Sequence, residues 1–298
     1  VIVARGCPFA CSYCSHAFGR TFRRHSTERI VEELRELKEQ HNVKQVNIEA
    51  DTLTINKKFV HELCRGMIDA DLGLIWTCES RVDTIDEEML GIMKKAGCWQ
   101  MSLGVETGSQ RLLDSIEKGL TKEKIRKAVH LARNAGIGIR GFFMLGLPSE
   151  TIAESMETIN FAKELDPEWA QFTVTIPFPG TPMYEQLVRQ NKMRHFRWSQ
   201  YNTWGGWADN NLPFIEDGRS EREIKSLQAK AMRLFYLRPK VFWRFLKSVT
   251  TVDDLRKYTG GLIVLILTGI ESLMTNFHPK RIFTRRKTKH ADIVFRPQ

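Results

Sequence analysis

Val1-Ile2-Val3-Ala4-Arg5-Gly6-Cys7-Pro8-Phe9-Ala10-Cys11-Ser12-Tyr13-Cys14 opens the chain with a short apolar run and then crowds three cysteines, spaced CxxxCxxC, into the loop behind it. The apolar run reads as a buried strand that carries three soft thiols at its C-terminal end. A structural zinc site is normally closed by four protein ligands, whereas a metal or cluster that does chemistry keeps one position open. His16 or His25 could complete a zinc site instead, since both follow closely and imidazole is a common zinc ligand. A disulfide framework fits poorly, because six cysteines in 298 residues are far from the density of a small stapled domain. Cys64, Cys78 and Cys98 stand singly in apolar or helical surroundings and read as buried thiols. All six suit a reducing cytoplasmic compartment.

Outward from that loop, to about Thr181, short apolar runs alternate with longer amphipathic ones, the pattern of β-α units feeding a parallel sheet. Ser26-Thr27-Glu28-Arg29 reads as a helix start, with Ile30, Leu34 and Leu37 as the buried stripe. Val43 to Ile48 is expected as a strand ending in Glu49-Ala50-Asp51, Phe59 to Ile68 as a helix and Leu74 to Cys78 as a strand. Glu87 to Lys95 then reads as a helix stopped by Gly97. Trp99 to Val105, Ile137 to Leu145 and Ala170 to Ile176 supply further strands, with helices over Lys122 to Asn134 and Ile152 to Leu165 between them. The expectation is an α/β fold, a partial (β/α)6 TIM-like barrel. In such barrels the active face is built from loops at the C-terminal ends of the strands. Polar residues gather at those places: the three cysteines, Glu49 and Asp51, Glu79-Ser80-Arg81, Glu106-Thr107-Gly108 and the Gly146-Leu147-Pro148 turn.

The cysteine spacing, with Tyr13 just before the last cysteine, resembles the signature of the radical S-adenosylmethionine (SAM) enzymes. Three further segments strengthen the likeness over roughly residues 1–185. Ser102-Leu103-Gly104-Val105-Glu106-Thr107-Gly108-Ser109-Gln110 resembles the Gly-hydrophobic-Glu-Ser-Gly segment of members that carry a cobalamin-binding domain, the class B methyltransferase and Mg-protoporphyrin ester cyclase types. Gly141 to Thr151 resembles their fifth-strand segment, and Pro177-Phe178-Pro179-Gly180-Thr181-Pro182 their sixth-strand loop. The resemblance implies a [4Fe-4S] cluster on Cys7, Cys11 and Cys14, with SAM chelated through its amino and carboxylate groups by the open iron. It also implies that the backbone around Tyr13 lies near adenine and that Glu106 contacts SAM. Glu49 and Asp51 match the second-strand motif that meets the SAM amino group, and Arg81 joins the same cofactor-binding set.

There are departures. Relatives commonly show paired acidic residues followed by Thr-Phe at the second strand, whereas Asp51 here follows Ala50 and precedes Thr52-Leu53, which leaves the amino contact open between Glu49 and Asp51. Pro148-Ser149-Glu150 replaces Pro-Gly-Glu, and is expected to stiffen the turn, because glycine takes positive φ at little cost and serine does not. Glu106 and Arg81 also read as salt-bridged rim residues, since structural ion pairs occupy strand ends as well.

Past residue 185 the composition changes, and the chain divides into a radical SAM core, 1–185, and a mainly helical C-terminal extension, 186–298. The sequence begins at Val1 rather than Met, and the expectation is that an N-terminal cobalamin-binding domain is missing from it. Trp198, Tyr201, Trp204 and Trp207, with Gly205-Gly206, form an aromatic loop that either covers the barrel mouth or simply packs. Ser220 to Leu237 reads as an amphipathic helix, and Val241 to Lys247 is aromatic and basic. The apolar run from Gly261 to Ile270 is shorter than the roughly twenty residues of a membrane span. With the cationic run from Lys280 to Lys289 it fits an interfacial helix on anionic lipid, or else a buried helix with a solvated basic tail. The net charge of +10 also attracts RNA, but no RNA-binding module or regular aromatic-basic interleaving is visible.

The reading that results is a cytoplasmic, in part membrane-associated, radical SAM enzyme that cleaves SAM to a 5′-deoxyadenosyl radical. Cobalamin-dependent methylation or oxidative cyclisation of a hydrophobic or lipid substrate would follow, with flavodoxin or ferredoxin as electron donor. The alternatives are a cobalamin-independent radical SAM enzyme modifying RNA or protein, and a non-enzymatic zinc-binding protein.

Overall fold

Alternation of burial along the sheet strands, all but the central one, determines which face of the sheet receives the helices. The computed structural model describes residues 1–194, 201 and 212–248. In chain order the elements are β1 (Ala4–Arg5), β2 (Arg23–Arg24), α1 (Thr27–His41), β3 (Gln45–Ile48), α2 (Lys57–Asp69), β4 (Ile75–Ser80), α3 (Glu87–Lys95) and β5 (Cys98–Glu106). They continue with α4 (Gln110–Ser115), α5 (Lys122–Asn134), β6 (Gly138–Leu145), α6 (Ile152–Leu165), β7 (Trp169–Val174), α7 (Pro182–Arg189), α8 (Glu221–Tyr236) and α9 (Pro239–Ser248). β3 to β7 form one sheet in sequence order, every neighbour pair parallel.

The expected first strand is present as a single parallel bridge, Ile2 to Glu49, supported by Val3 N–H donating to Glu49 C=O at 2.9 Å and Glu49 N–H to Val1 C=O at 2.8 Å. The next two residues leave the sheet to pair antiparallel with Arg23–Arg24, which closes the cysteine loop as a ribbon. Six parallel segments therefore run edge to edge, the partial barrel read from the repeat. Every strand end with C-terminal polarity reaches the same rim.

Helix boundaries follow the capping residues. Ser26, Asn56, Asp86, Thr121 and Thr151 each accept a hydrogen bond from a backbone N–H in the first turn, and Thr151 with Glu154 completes a capping box; such caps contribute about 1 kcal/mol each. The buried stripes at i, i+3 and i+4 spacing, such as Phe59, Val60, Leu63 and Met67 of α2, cover the sheet residues Val46, Ile48, Trp76, Ile139, Phe143 and Leu145. Trp76 is fully enclosed and donates its indole N–H to Ala96 C=O at 2.8 Å, which satisfies the one polar atom the ring brings inside.

The opposite, concave face is different. Asn47, Glu49, Thr77, Glu79, Arg140, Phe142 and Gln171 alternate with the core residues and remain open or half-open. In a closed eight-stranded barrel that space is filled by layers of branched apolar side chains; here it is a polar trough.

α8 covers the edge strand β7. The Tyr236 hydroxyl accepts from Ala170 N–H at 3.0 Å and donates to Ala170 C=O at 2.8 Å, while Gln228 Nε2 donates to Phe172 C=O at 2.8 Å. Side chains thus supply the bonds that a seventh strand would have made, one of the ways a sheet edge is blunted. Asp166, at the C-terminal end of α6, holds α9 through Arg238, Lys240 and Arg244 at 2.7–2.9 Å. Trp198, Trp204, Trp207 and the segments from 261 to 270 and 280 to 289 lie outside the described residues. No helix of the described residues is long and apolar enough to cross a membrane.

Because Tyr236 satisfies both backbone groups of a buried edge residue, Tyr236→Phe is expected to cost about 1–3 kcal/mol. The check is a lower urea midpoint at unchanged slope.

Candidate functional site

The cysteine loop is pinned from several sides before any cofactor is considered. Gly6 has φ of +93°, and a Cβ there would lie 2.1 Å from Thr21 C=O, so only glycine lets the loop pass. Gly6 N–H donates to Asp51 Oδ2 at 2.5 Å, and Cys7 N–H donates to Gly19 C=O at 3.2 Å. Ser12 N–H donates to Ile116 C=O at 3.0 Å, and Ser12 C=O accepts from Met183 N–H at 2.9 Å. Cys11 is buried, and Cys7 and Cys14 are half-buried. All six cysteines are free thiols. Burial first, then the neighbouring Cys11 and Cys7, push the Cys14 thiol up to about 11, so metal binding there would release a proton.

Arg81 is almost fully buried and serves the loop rather than solvent. Its Nη1 donates to Cys11 Sγ at 3.2 Å, its fork binds Asp83 at 2.9 and 3.0 Å, and Nη2 also donates to Lys118 C=O at 2.8 Å. The guanidinium lies over the Phe9 ring at 3.7 Å from the centroid.

Beside the loop, Lys118 Nζ donates to Glu106 Oε1 and to the Tyr13 hydroxyl, both at 2.7 Å, and the Tyr13 hydroxyl donates to the same Oε1 at 2.8 Å. Among the described residues no donor reaches Glu106 Oε2. Burial first, then the Glu106 carboxylate and Cys11, hold the Tyr13 phenol protonated well above its usual range. Glu106 itself sits at φ +68°, where the register with β6 slips between Gly104 and Glu106. A non-glycine residue in such a position costs about 1–3 kcal/mol and persists only where its surroundings over-determine it.

The glycines of the Gly104-Val105-Glu106-Thr107-Gly108 run follow from contact. A Cβ on Gly104 would meet Glu106 Oε1 at 2.4 Å and Lys118 Nζ at 2.8 Å; one on Gly108 would meet Glu157 C=O of α6 at 2.6 Å. The first glycine makes room for the ion pair, the second for close packing of α6.

The second-strand acids separate. Asp51 is engaged by Gly6 N–H, whereas Glu49 accepts from Asn47 Nδ2 and faces Glu79 on the concave side. At the fifth-strand turn Ser149 stands at positive φ, +61°, the region that glycine takes at little cost. Arg111 pays that strain back by donating to Ser149 Oγ at 3.0 Å and to its C=O at 2.8 Å, and Ser149 N–H is taken by Glu216. Arg111 also binds Glu154, whose carboxyl its hydrogen bonds hold down to about 2 against a burial effect that raises it.

The chain matches the Radical SAM superfamily over residues 1–162, more than half its length. It belongs to the radical SAM superfamily. Members of this family are enzymes that use a [4Fe-4S] cluster and SAM. The chain is 35% identical over 272 residues to an uncharacterized methyltransferase of Pyrococcus horikoshii, covering 91% of this chain and 56% of that protein. It is 34% identical over 202 residues to the anaerobic magnesium-protoporphyrin IX monomethyl ester cyclase of Rubrivivax gelatinosus, covering 67% and 36% respectively. It therefore spans between about a third and a little over half of these relatives. The fold is shared with the cobalamin-dependent SAM radical enzyme OxsB solved with aqua-cobalamin and SAM, at a TM-score of 0.65, 15% identity, and coverage of 94% of this chain and 48% of that one. Membership of an enzyme family sets aside the reading as a non-enzymatic zinc-binding protein.

The donor set fits the family's cluster: three free thiols in one loop have the count and softness that a cube with one open iron needs. Among the described residues no three His, Cys, Asp or Glu side chains converge on a single ion position, and this holds for the three cysteines as it does for His16 and His25. Lys118 is the site residue that the sequence reading missed. It lies 12 residues beyond Glu106, in the turn before α5, with no spacing that marks it. Lys118→Met leaves the Glu106 carboxylate buried beside a single remaining donor and is expected to cost about 3–5 kcal/mol. The double variant Lys118→Met, Glu106→Gln should recover much of the loss in urea unfolding.

Proposed function

We propose that residues 1–185 are the radical-generating core of a cobalamin-assisted enzyme that methylates or oxidatively cyclises a largely apolar substrate, with 186–298 as an extension. The observation that carries the reading is the pinned loop of Cys7, Cys11 and Cys14 at the rim of a parallel barrel. The three thiolates would hold a [4Fe-4S] cluster, which when reduced supplies the electron that cleaves the SAM sulfonium and frees a 5′-deoxyadenosyl radical to take hydrogen from substrate. Arg81, donating to Cys11 Sγ, would stabilise the thiolate form of that ligand. Lys118 and Tyr13 occupy Oε1 of Glu106, which leaves Oε2 to accept a donor from SAM. Asp51 orders the loop through Gly6, so Glu49 is the better candidate for the SAM amino group.

Cobalamin use rests on the resemblance of residues 102–110 to the segment of radical SAM enzymes that carry a cobalamin-binding domain, and that domain would belong to a longer protein. A flavodoxin or ferredoxin would deliver the electron. A second reading concerns lipid: α9 exposes Phe242, Trp243 and Leu246 beside Lys240 and Lys247, an apolar face with basic flanks that suits an anionic bilayer surface. Co-sedimentation with phosphatidylserine vesicles should fall several-fold in Trp243→Glu, Leu246→Glu; equal pelleting would remove that contact.

The central test is low-temperature electron paramagnetic resonance of anaerobically reconstituted, dithionite-reduced protein with and without SAM. A four-iron signal that changes with SAM, and disappears when Cys7, Cys11 and Cys14 are all alanine, is expected. A protein that retains zinc, or a cluster indifferent to SAM, would overturn the proposal.

A further inference from the structure

One charged register row crosses the trough on the concave face, from Arg140 near the start of β6 to Glu79 near the rim end of β4. Register places Glu79 of β4 beside Ser102 of β5, Ser102 beside Arg140 of β6, and Arg140 beside Trp169 of β7, so four residues form one row across the sheet. Trp99 lines the same cavity, whose volume is about 200 Å³. Glu79 and Arg140 are two strands apart, about 10 Å at the backbone, and the small Ser102 between them leaves a gap rather than a closed ion pair. Among the described residues the Arg140 guanidinium makes no ion pair or hydrogen bond. Partial burial first, and then Glu49, push the Glu79 carboxyl up, while Arg140 works the other way, so the two opposite charges share one field.

A packed barrel floor would be lined with branched aliphatic residues. A row of separated, opposite charges with two tryptophans beside it is instead the composition of a ligand site, a few convergent polar groups on an aromatic wall. The cavity is smaller than the roughly 300–1,000 Å³ of a site that encloses a whole drug-sized ligand. It suits one end of a molecule whose remainder rises toward the cysteine rim.

We propose that the Arg140 end of this row is a subsite for the anionic end of the substrate: a carboxylate on Arg140 and its neighbouring apolar portion against Trp99 and Trp169. The proposal rests on the enzymatic reading above and narrows it, from an apolar substrate to an amphiphile with a carboxylate at the end away from the reacting carbon. Arg140 is then a specificity residue and takes no part in radical generation.

The test uses the full chain and two small probes of one shape, 3-phenylpropionate and 3-phenylpropanamide, titrated against intrinsic tryptophan fluorescence, with Trp99→Phe to assign the signal. The acid is expected to bind about tenfold more tightly than the amide, the range of one hydrogen bond to a charged group. Arg140→Gln should abolish the preference, Arg140→Lys should keep part of it, and SAM should leave it unchanged. Equal binding of acid and amide, binding of neither, a preference surviving in Arg140→Gln, or displacement of the acid by SAM would each overturn the subsite. The resonance experiment separates this from the enzymatic reading, because Arg140→Gln is expected to keep the SAM-dependent cluster signal of the parent.

Discussion

The buried ion pair of Lys118 and Glu106 is the contact on which the rim depends. Lys118 Nζ reaches both Glu106 and Tyr13 at 2.7 Å, and the carbonyl of the same residue accepts from Arg81, which reaches Cys11. One lysine therefore connects the loops after the first, third and fourth parallel segments. Burying two charges is costly unless geometry and further hydrogen bonds repay it. Here the repayment is distributed: Tyr13 donates to the carboxylate, and the glycine at 104 removes the one atom that would push the pair apart. The strained φ of Glu106 is held in place by the same contacts, an arrangement that fixes a carboxylate next to the cysteines before anything binds.

The sheet makes such convergence possible because its strands are all parallel and in sequence order. Each β-α unit delivers its loop to the same edge, so residues separated by many tens of positions become neighbours without a long-range fold of their own. The cost is an edge at each side, which the structure meets with further pairing or cover. The chain start bridges to Glu49 on one side, and Tyr236 and Gln228 of α8 bind the backbone of β7 on the other. Among the described residues the barrel remains partial.

The fold was legible because its signals are local. Caps such as Ser26 and Thr151, glycine stops such as Gly97, and stripes such as Ile30 and Leu34 depend on residues within a turn or two, and the helices over 87–95, 122–134 and 152–165 begin and end where those signals stand. The three cysteines were legible because their spacing is itself the chemistry. What was not legible depends on pairs distant in sequence. Lys118 gains its meaning only from Glu106 and Tyr13 across the rim, and the register that brings Arg140 into one row with Glu79 follows from pairing of β4 to β5 to β6. Ser149 follows the same rule: its own propensity disfavours positive φ, but the donors of Arg111 and the carboxylate of Glu216 come from elsewhere and outweigh it.

The polar trough bears on what kind of substrate such a barrel can hold. An apolar molecule alone would gain little there, since burying Glu79 and Arg140 under hydrocarbon would strip water from both without replacing its hydrogen bonds. An amphiphile avoids that loss by matching the row with its charged end while its apolar body meets Trp99, Trp169 and, higher up, Phe142. Anchoring at the floor would also fix how far the opposite end rises toward the cysteine rim, and a radical that takes whichever hydrogen lies nearest gains its selectivity from that distance. Positional control in this barrel would then come from Arg140, near the start of β6 and well below the cysteine rim.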